Sequence, residues 1–138
     1  MINDHNVKIG ASYLIKKKVE ANYTAGALYG SGVLEILFST PALVSMMIDA
    51  AIELLDEVLP REYISVATTC SVTHENPTIF GEEVSVKVTV INVEGNKVYF
   101  DMVASDGSGR IGHGTHERVI VHKEKLLEKA YSRVDRKK

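Results

Sequence analysis

The chain has 138 residues, 45% of them hydrophobic, with a formal net charge of -2 from 16 basic and 18 acidic residues and a single cysteine. Size and composition fit one soluble domain over residues 1–138 with a real buried core, which the order of strands and helices read below makes α+β, and the near-neutral charge offers no basic field for wholesale nucleic-acid binding. A lone Cys70 excludes an internal disulfide, and the apolar stretch Leu43 to Leu55, broken by Ser45, Asp49 and Glu53, is too short to span a bilayer. With no signal-type N-terminus, a reducing cytoplasm is expected.

In chain order, Lys8 to Tyr23 reads as a strand-like opening, with Ala11, Tyr13 and Ile15 set against Ser12, Lys16 and Lys18. Ala25 to Gly32, with three glycines, reads as a loop. Ser39-Thr40-Pro41 then forms a helix start: a hydroxyl to cap free N–H groups, and proline where its missing donor costs nothing. The helix is expected from Pro41 to about Val58. Ser45, Asp49, Glu53 and Glu57 make one narrow polar stripe with Asp56 beside it, and nearly all the rest is apolar, so something must wrap this helix.

Four runs with two-residue alternation supply the wrapping: Ile64 to His74, Val84 to Val93, Lys97 to Ala104 and Arg110 to His122. Val84, Val86, Val88 and Val90 share one face, and Val98, Phe100 and Met102 another. Glycine-bearing turns at Gly95 and at Gly107 to Gly109 make neighbouring strands antiparallel. The expectation is a four-strand antiparallel meander over a buried helix, closed by a charged helix from about Lys123. The cations Lys123, Lys125, Lys129, Arg133, Arg136, Lys137 and Lys138 read as its solvated face and tail.

The start of the central helix suits negative charge developing on a carbonyl oxygen, and Thr40 stands there, either as a simple cap or as part of a site. His74 falls on the strand face expected to cover the helix, with Val66, Cys70 and Val72, and is either a satisfied core histidine or the start of a cleft. Cys70 on that face reads as packing. His113 and His116, three apart in a strand, point to opposite faces and do not converge on a metal. His116 and Arg118 share a face, where the arginine suits a phosphate, a carboxylate or another side chain.

These residues resemble the fluoroacetyl-CoA thioesterase-like branch of the hotdog superfamily, from about Phe38 to Lys129. The resemblance rests on Phe38-Ser39-Thr40-Pro41, Val72-Thr73-His74 with Pro77 and Gly81, Val93-Glu94-Gly95, and Ile111-Gly112-His113-Gly114-Thr115-His116-Glu117-Arg118. It implies a hotdog fold, an antiparallel sheet wrapped around a long central helix. It also implies a homodimer, or a dimer of dimers, with active sites across the interface. The implied activity is metal-free, cofactor-free hydrolysis of a small acyl-CoA or other acyl-thioester, with neither nucleic acid nor membrane as partner. In that frame Thr40 and His74 are catalytic, and Arg118, Ala67 and Pro41 lie by the substrate. Two positions depart from the pattern. Ile48 stands where the family carries its catalytic glutamate, with Asp49 one step around the helix on the polar stripe, and Ala67 replaces the glycine of the fluoroacetyl-specific enzyme. Ile48 motivates an alternative, a non-catalytic acyl-CoA or small-ligand binding protein. Hydratase chemistry, which other hotdog proteins perform, fits less well, since only Glu75 and Asn76 follow His74.

Overall fold

The computed structural model describes residues 5–20, 23, 24 and 36–135. The expected loop at Ala25 to Gly32 lies outside them. In chain order come β1 (Ser12–Lys18), α1 (Thr40–Asp56), β2 (Tyr63–His74), β3 (Glu83–Glu94), β4 (Lys97–Asp106), β5 (Gly109–His122) and α2 (Lys123–Asp135).

All strand pairs are antiparallel and the order across the sheet is β1-β3-β4-β5-β2. The expected four-strand meander is therefore corrected: β3, β4 and β5 form a meander, but β2 pairs with β5. The two glycine turns each close a hairpin, whereas the eight residues 75–82 between β2 and β3 are long enough to cross to the far side of the sheet. α1 lies on one face, and its Leu43, Met47, Ala50, Ala51 and Leu55 are fully buried against Val84, Val86, Val88, Val98 and Phe100. Each buried Leu, Met, Val or Phe among them contributes roughly 1.5–3 kcal/mol. Ser45, Asp49, Glu53, Asp56 and Glu57 are exposed, as the stripe requires.

Two features of the β2–β5 ladder set the position of α1. Gly112 and Gly114 on β5 leave no side chain under β2: a Cβ at Gly112 would sit 2.9 Å from the Thr73 carbonyl oxygen and 3.1 Å from Leu43 of α1, and one at Gly114 would run into the Ser71 carbonyl. The first turn of α1 therefore comes close to the end of β2. The second feature is a bulge between Ala67 and Thr69, which shifts the register by one residue. It corrects the expected faces: His74, Val72, Cys70, Ala67 and Ser65 point toward α1, whereas Val66 pairs with Val119 and lines a groove under α2 on the opposite face. Cys70 is exposed rather than packed, on the edge strand of the sheet.

The two sheet edges differ. β1 carries Lys16, Lys17 and Lys18, charges of the kind that keep an edge from pairing with another strand. β2 presents seven uncharged residues, Ala67 to Thr73, with no proline.

Candidate active site

The helix start is built from two adjacent hydroxyls with separate tasks. Ser39 is the cap: its Oγ accepts from the Ala42 N–H at 3.1 Å, and its own N–H donates to the Tyr23 carbonyl at 2.8 Å. Pro41 has no N–H. Among the described residues nothing takes the Thr40 N–H, so the first turn keeps one donor, beside the Thr40 side chain. Because Ser39 does the capping, the Thr40 hydroxyl is free for another partner. It lies 2.8 Å from Nδ1 of His74.

His74 is half-buried at the end of β2, with its ring edge-on to buried Phe38, 6.1 Å between centroids. Nε2 is sealed from solvent and has no hydrogen-bond partner among the described residues. All proton traffic of the ring therefore passes through Nδ1, the nitrogen facing Thr40. In the tautomer with the proton on Nε2, Nδ1 accepts from the Thr40 hydroxyl, which is the arrangement of a general base with the oxygen it serves. Burial lowers the His74 pKa, opposed by the Asn76 backbone, so its surroundings favour the neutral ring.

His116 and Arg118 form a second cluster, and both are buried. His116 donates from Nδ1 to the Thr69 carbonyl oxygen at 2.7 Å, and its Nε2 accepts from Arg118 Nη1 at 3.3 Å. Arg118 donates from Nε to Ser65 Oγ and from Nη2 to the Ser65 carbonyl oxygen, each at 2.8 Å. Among the described residues no carboxylate pairs with this guanidinium; Asp56 and Cys70 act on it only through space, against the burial that lowers its pKa. Burial, and then the Arg118 charge, push the His116 pKa down despite the Thr69 carbonyl. Ser65 gave no signal in the sequence, because the bulge that turns it inward is invisible to simple alternation.

Within one chain the sequence-derived site residues fall into two groups. Thr40, Pro41 and His74 stand together. Ala67 and Arg118 pair with each other on neighbouring strands, six residues of β5 away from Gly112, the partner of His74, or about 20 Å. Ile48 is half-buried and Asp49 exposed, as the polar stripe requires. Glu75 turns away from His74: its carboxylate accepts from Arg110 Nη2 and pairs with His113 Nδ1, both at 2.8 Å, and both contacts lower its pKa. His113 is exposed and His116 buried, on opposite faces.

With this geometry in view, the chain can be set beside known proteins. The family model described as fluoroacetyl-CoA-specific thioesterase matches residues 19–124. A fluoroacetyl-CoA thioesterase of Streptantibioticus cattleyicolor is 34% identical over 93 residues, 67% of each chain. Among solved structures, a hot-dog-like protein of Thermanaerovibrio acidaminovorans superposes with a TM-score of 0.84 at 34% identity, covering 91% of both chains. The crystal structure of a fluoroacetyl-CoA thioesterase superposes with a TM-score of 0.82 at 28% identity, covering 92% of this chain and 97% of the other. The fold is the hotdog fold, and the chain belongs to the fluoroacetyl-CoA-specific thioesterase family.

Proposed function

We propose that this protein hydrolyses a small acyl-CoA thioester, with His74 as the base and Thr40 as the hydroxyl through which it works. The observation that carries this reading is the 2.8 Å contact between Thr40 Oγ1 and His74 Nδ1 at a helix start where, among the described residues, nothing takes the Thr40 N–H. Water gives up a proton through the Thr40 hydroxyl to Nδ1 and attacks the thioester carbon. The Thr40 N–H receives the charge developing on the carbonyl oxygen. The C–S bond breaks, the proton on Nδ1 passes to the departing thiolate, and a carboxylic acid and free coenzyme A leave. No metal or cofactor enters these steps.

The protein acts as one domain in the cytoplasm and as a homodimer joined along β2. The uncharged β2 edge supports the dimer. An antiparallel pairing centred near Cys70 and Ser71 sets His74 of one chain beside Ala67 of the partner subunit, with Arg118 of the partner subunit on the next strand, and so reunites the two groups of site residues. Light scattering on the wild-type protein checks this, and a monomer at assay concentration removes the shared site.

Thiol release from a panel of acyl-CoAs tests the activity: at least one should turn over, and none at high enzyme concentration would overturn the reading. Ile48 favours a second reading, a protein that binds acyl-CoA without cleaving it, since no carboxylate touches His74 among the described residues. That reading expects acyl-CoA to raise the melting temperature without turnover, and Ile48→Glu to create activity.

A further inference from the structure

Three consecutive residues of β5, His116, Glu117 and Arg118, each hold a different piece of the irregularity in β2. Ala67 pairs with Arg118 and Thr69 with Glu117, so Thr68 is the extra residue of the bulge, without a place of its own in the ladder. On the helix side, Arg118 donates from Nη2 to the Ser65 carbonyl oxygen ahead of the bulge, at 2.8 Å, and His116 donates from Nδ1 to the Thr69 carbonyl oxygen behind it, at 2.7 Å. The 3.3 Å contact from Arg118 Nη1 to His116 Nε2 joins the two side chains. On the opposite face, the Thr68 hydroxyl lies 3.1 Å from the Glu117 carbonyl oxygen and donates to the Glu117 carboxylate. The bulge is thus gripped before, at and after its extra residue, from both faces of the sheet.

What the bulge changes is the side chain that β2 turns to the helix side. His74, Val72 and Cys70 alternate onto that face; unbroken alternation would continue with Thr68 and Val66, whereas the bulge brings Ala67 and Ser65 there instead. A single methyl group therefore stands where a branched hydroxyl side chain would otherwise be. The clamp does not serve the reacting pair of its own chain. His116 pairs with Cys70, four residues of β5 from Gly112, the partner of His74, or about 13 Å. Its ring is buried beside Phe100, with 6.0 Å between centroids, and both of its nitrogens are taken. In the dimer proposed above, however, Ala67 lies beside His74 of the partner subunit.

Resting on that shared-site reading, we infer that His116, together with Thr68 and Glu117, is a positioning residue for the active site of the opposite subunit: the clamp fixes the bulge that keeps Ala67 beside, and Thr68 away from, the partner's His74. A loosened clamp lets β2 relax toward regular alternation, and the Thr68 side chain then crowds the place where the thioester must lie. Each site thus needs His74 from one chain and His116 from the other, although the two residues never touch.

The test mixes two impaired full-length chains, His74→Ala and His116→Leu, and follows thiol release from the best acyl-CoA of the panel. The His116→Leu dimer alone should lose about tenfold or more in kcat/KM. Its His116→Gln counterpart, whose amide both donates and accepts, should recover most of that loss. In a one-to-one mixture with exchanged subunits half the dimers carry both chains, and each of these has one site with an intact His74 facing an intact clamp, so about a quarter of wild-type activity should return. A residue that only stabilised its own subunit is not complemented in this way. Should His116→Leu not fold, Thr68→Val, at an exposed position, replaces it with a smaller expected loss. Wild-type kinetics in a folded His116→Leu dimer, or mixed dimers no more active than the mean of their parents, would overturn the inference, and a monomeric wild-type protein removes it along with the shared site. Absence of turnover by the wild-type protein counts against the thioesterase reading alone. Calorimetry with acyl-CoA then decides: a Kd raised several-fold by His116→Leu and restored by His116→Gln supports the clamp, and an unchanged Kd refutes it.

Discussion

Two histidines on the same side of one β2–β5 ladder have opposite fates. His74, at the end of β2, has one nitrogen sealed and the other on the hydroxyl of an exposed threonine. His116, in the middle of β5, has both nitrogens occupied, by a backbone carbonyl and by a guanidinium. Burial lowers the pKa of both. What separates them is therefore not basicity but what the free nitrogen meets. A neutral imidazole facing a hydroxyl at a helix N-terminus can take a proton during a reaction; one locked between a carbonyl and an arginine can only hold those two in place.

Substitutions can break or sharpen this contrast. Apart from loss of His74 itself, the largest effect is expected from Thr40→Val, which keeps the β-branch and removes the hydroxyl: kcat should fall by about 10²-fold or more in a thiol-release assay, with the melting temperature nearly unchanged, since Ser39 does the capping. Next comes Arg118→Met. It removes a buried cation that has no paired carboxylate among the described residues, but it also strands the Ser65 and His116 acceptors, so the melting temperature should change little while activity drops. A clear fall in melting temperature would make Arg118 chiefly a structural pin.

A smaller effect concerns acid. Because the folded-state pKa values of His74 and His116 are lowered, the unfolded chain takes up protons first as pH falls. The stability they support is complete above the ordinary imidazole range near pH 6.5 and is lost as pH drops through the folded values. His116→Asn, which does not titrate, should flatten the thermal-stability profile between about pH 7 and 5, whereas His74 substitutions should reshape the pH–rate profile instead. The smallest is Ser39→Ala, a loss of about 1 kcal/mol read by denaturant titration.

Much of this was legible in the sequence. The apolar circumference of α1 and the alternating valines of β3 predicted a wrapped helix, because burial leaves a period in the chain. Thr40 and His74 were visible as a helix start and an inward strand end. Three things were not. The bulge at Ala67 to Thr69 shifts faces by one residue without any turn signal, so Val66 was expected inside and Ser65 went unnoticed. The crossing of β2 to β5 depends on a connection whose direction no local pattern encodes. The division of labour between Ser39 and Thr40 required coordinates, since either hydroxyl suits a cap.

The central claim is that His74 works through Thr40, and the most direct measurement is kcat/KM of His74→Ala on the best acyl-CoA of the panel, with circular dichroism confirming the fold. A loss of about 10²- to 10⁴-fold with native spectra is the predicted result. Retention of wild-type kcat/KM by a folded His74→Ala protein would contradict it.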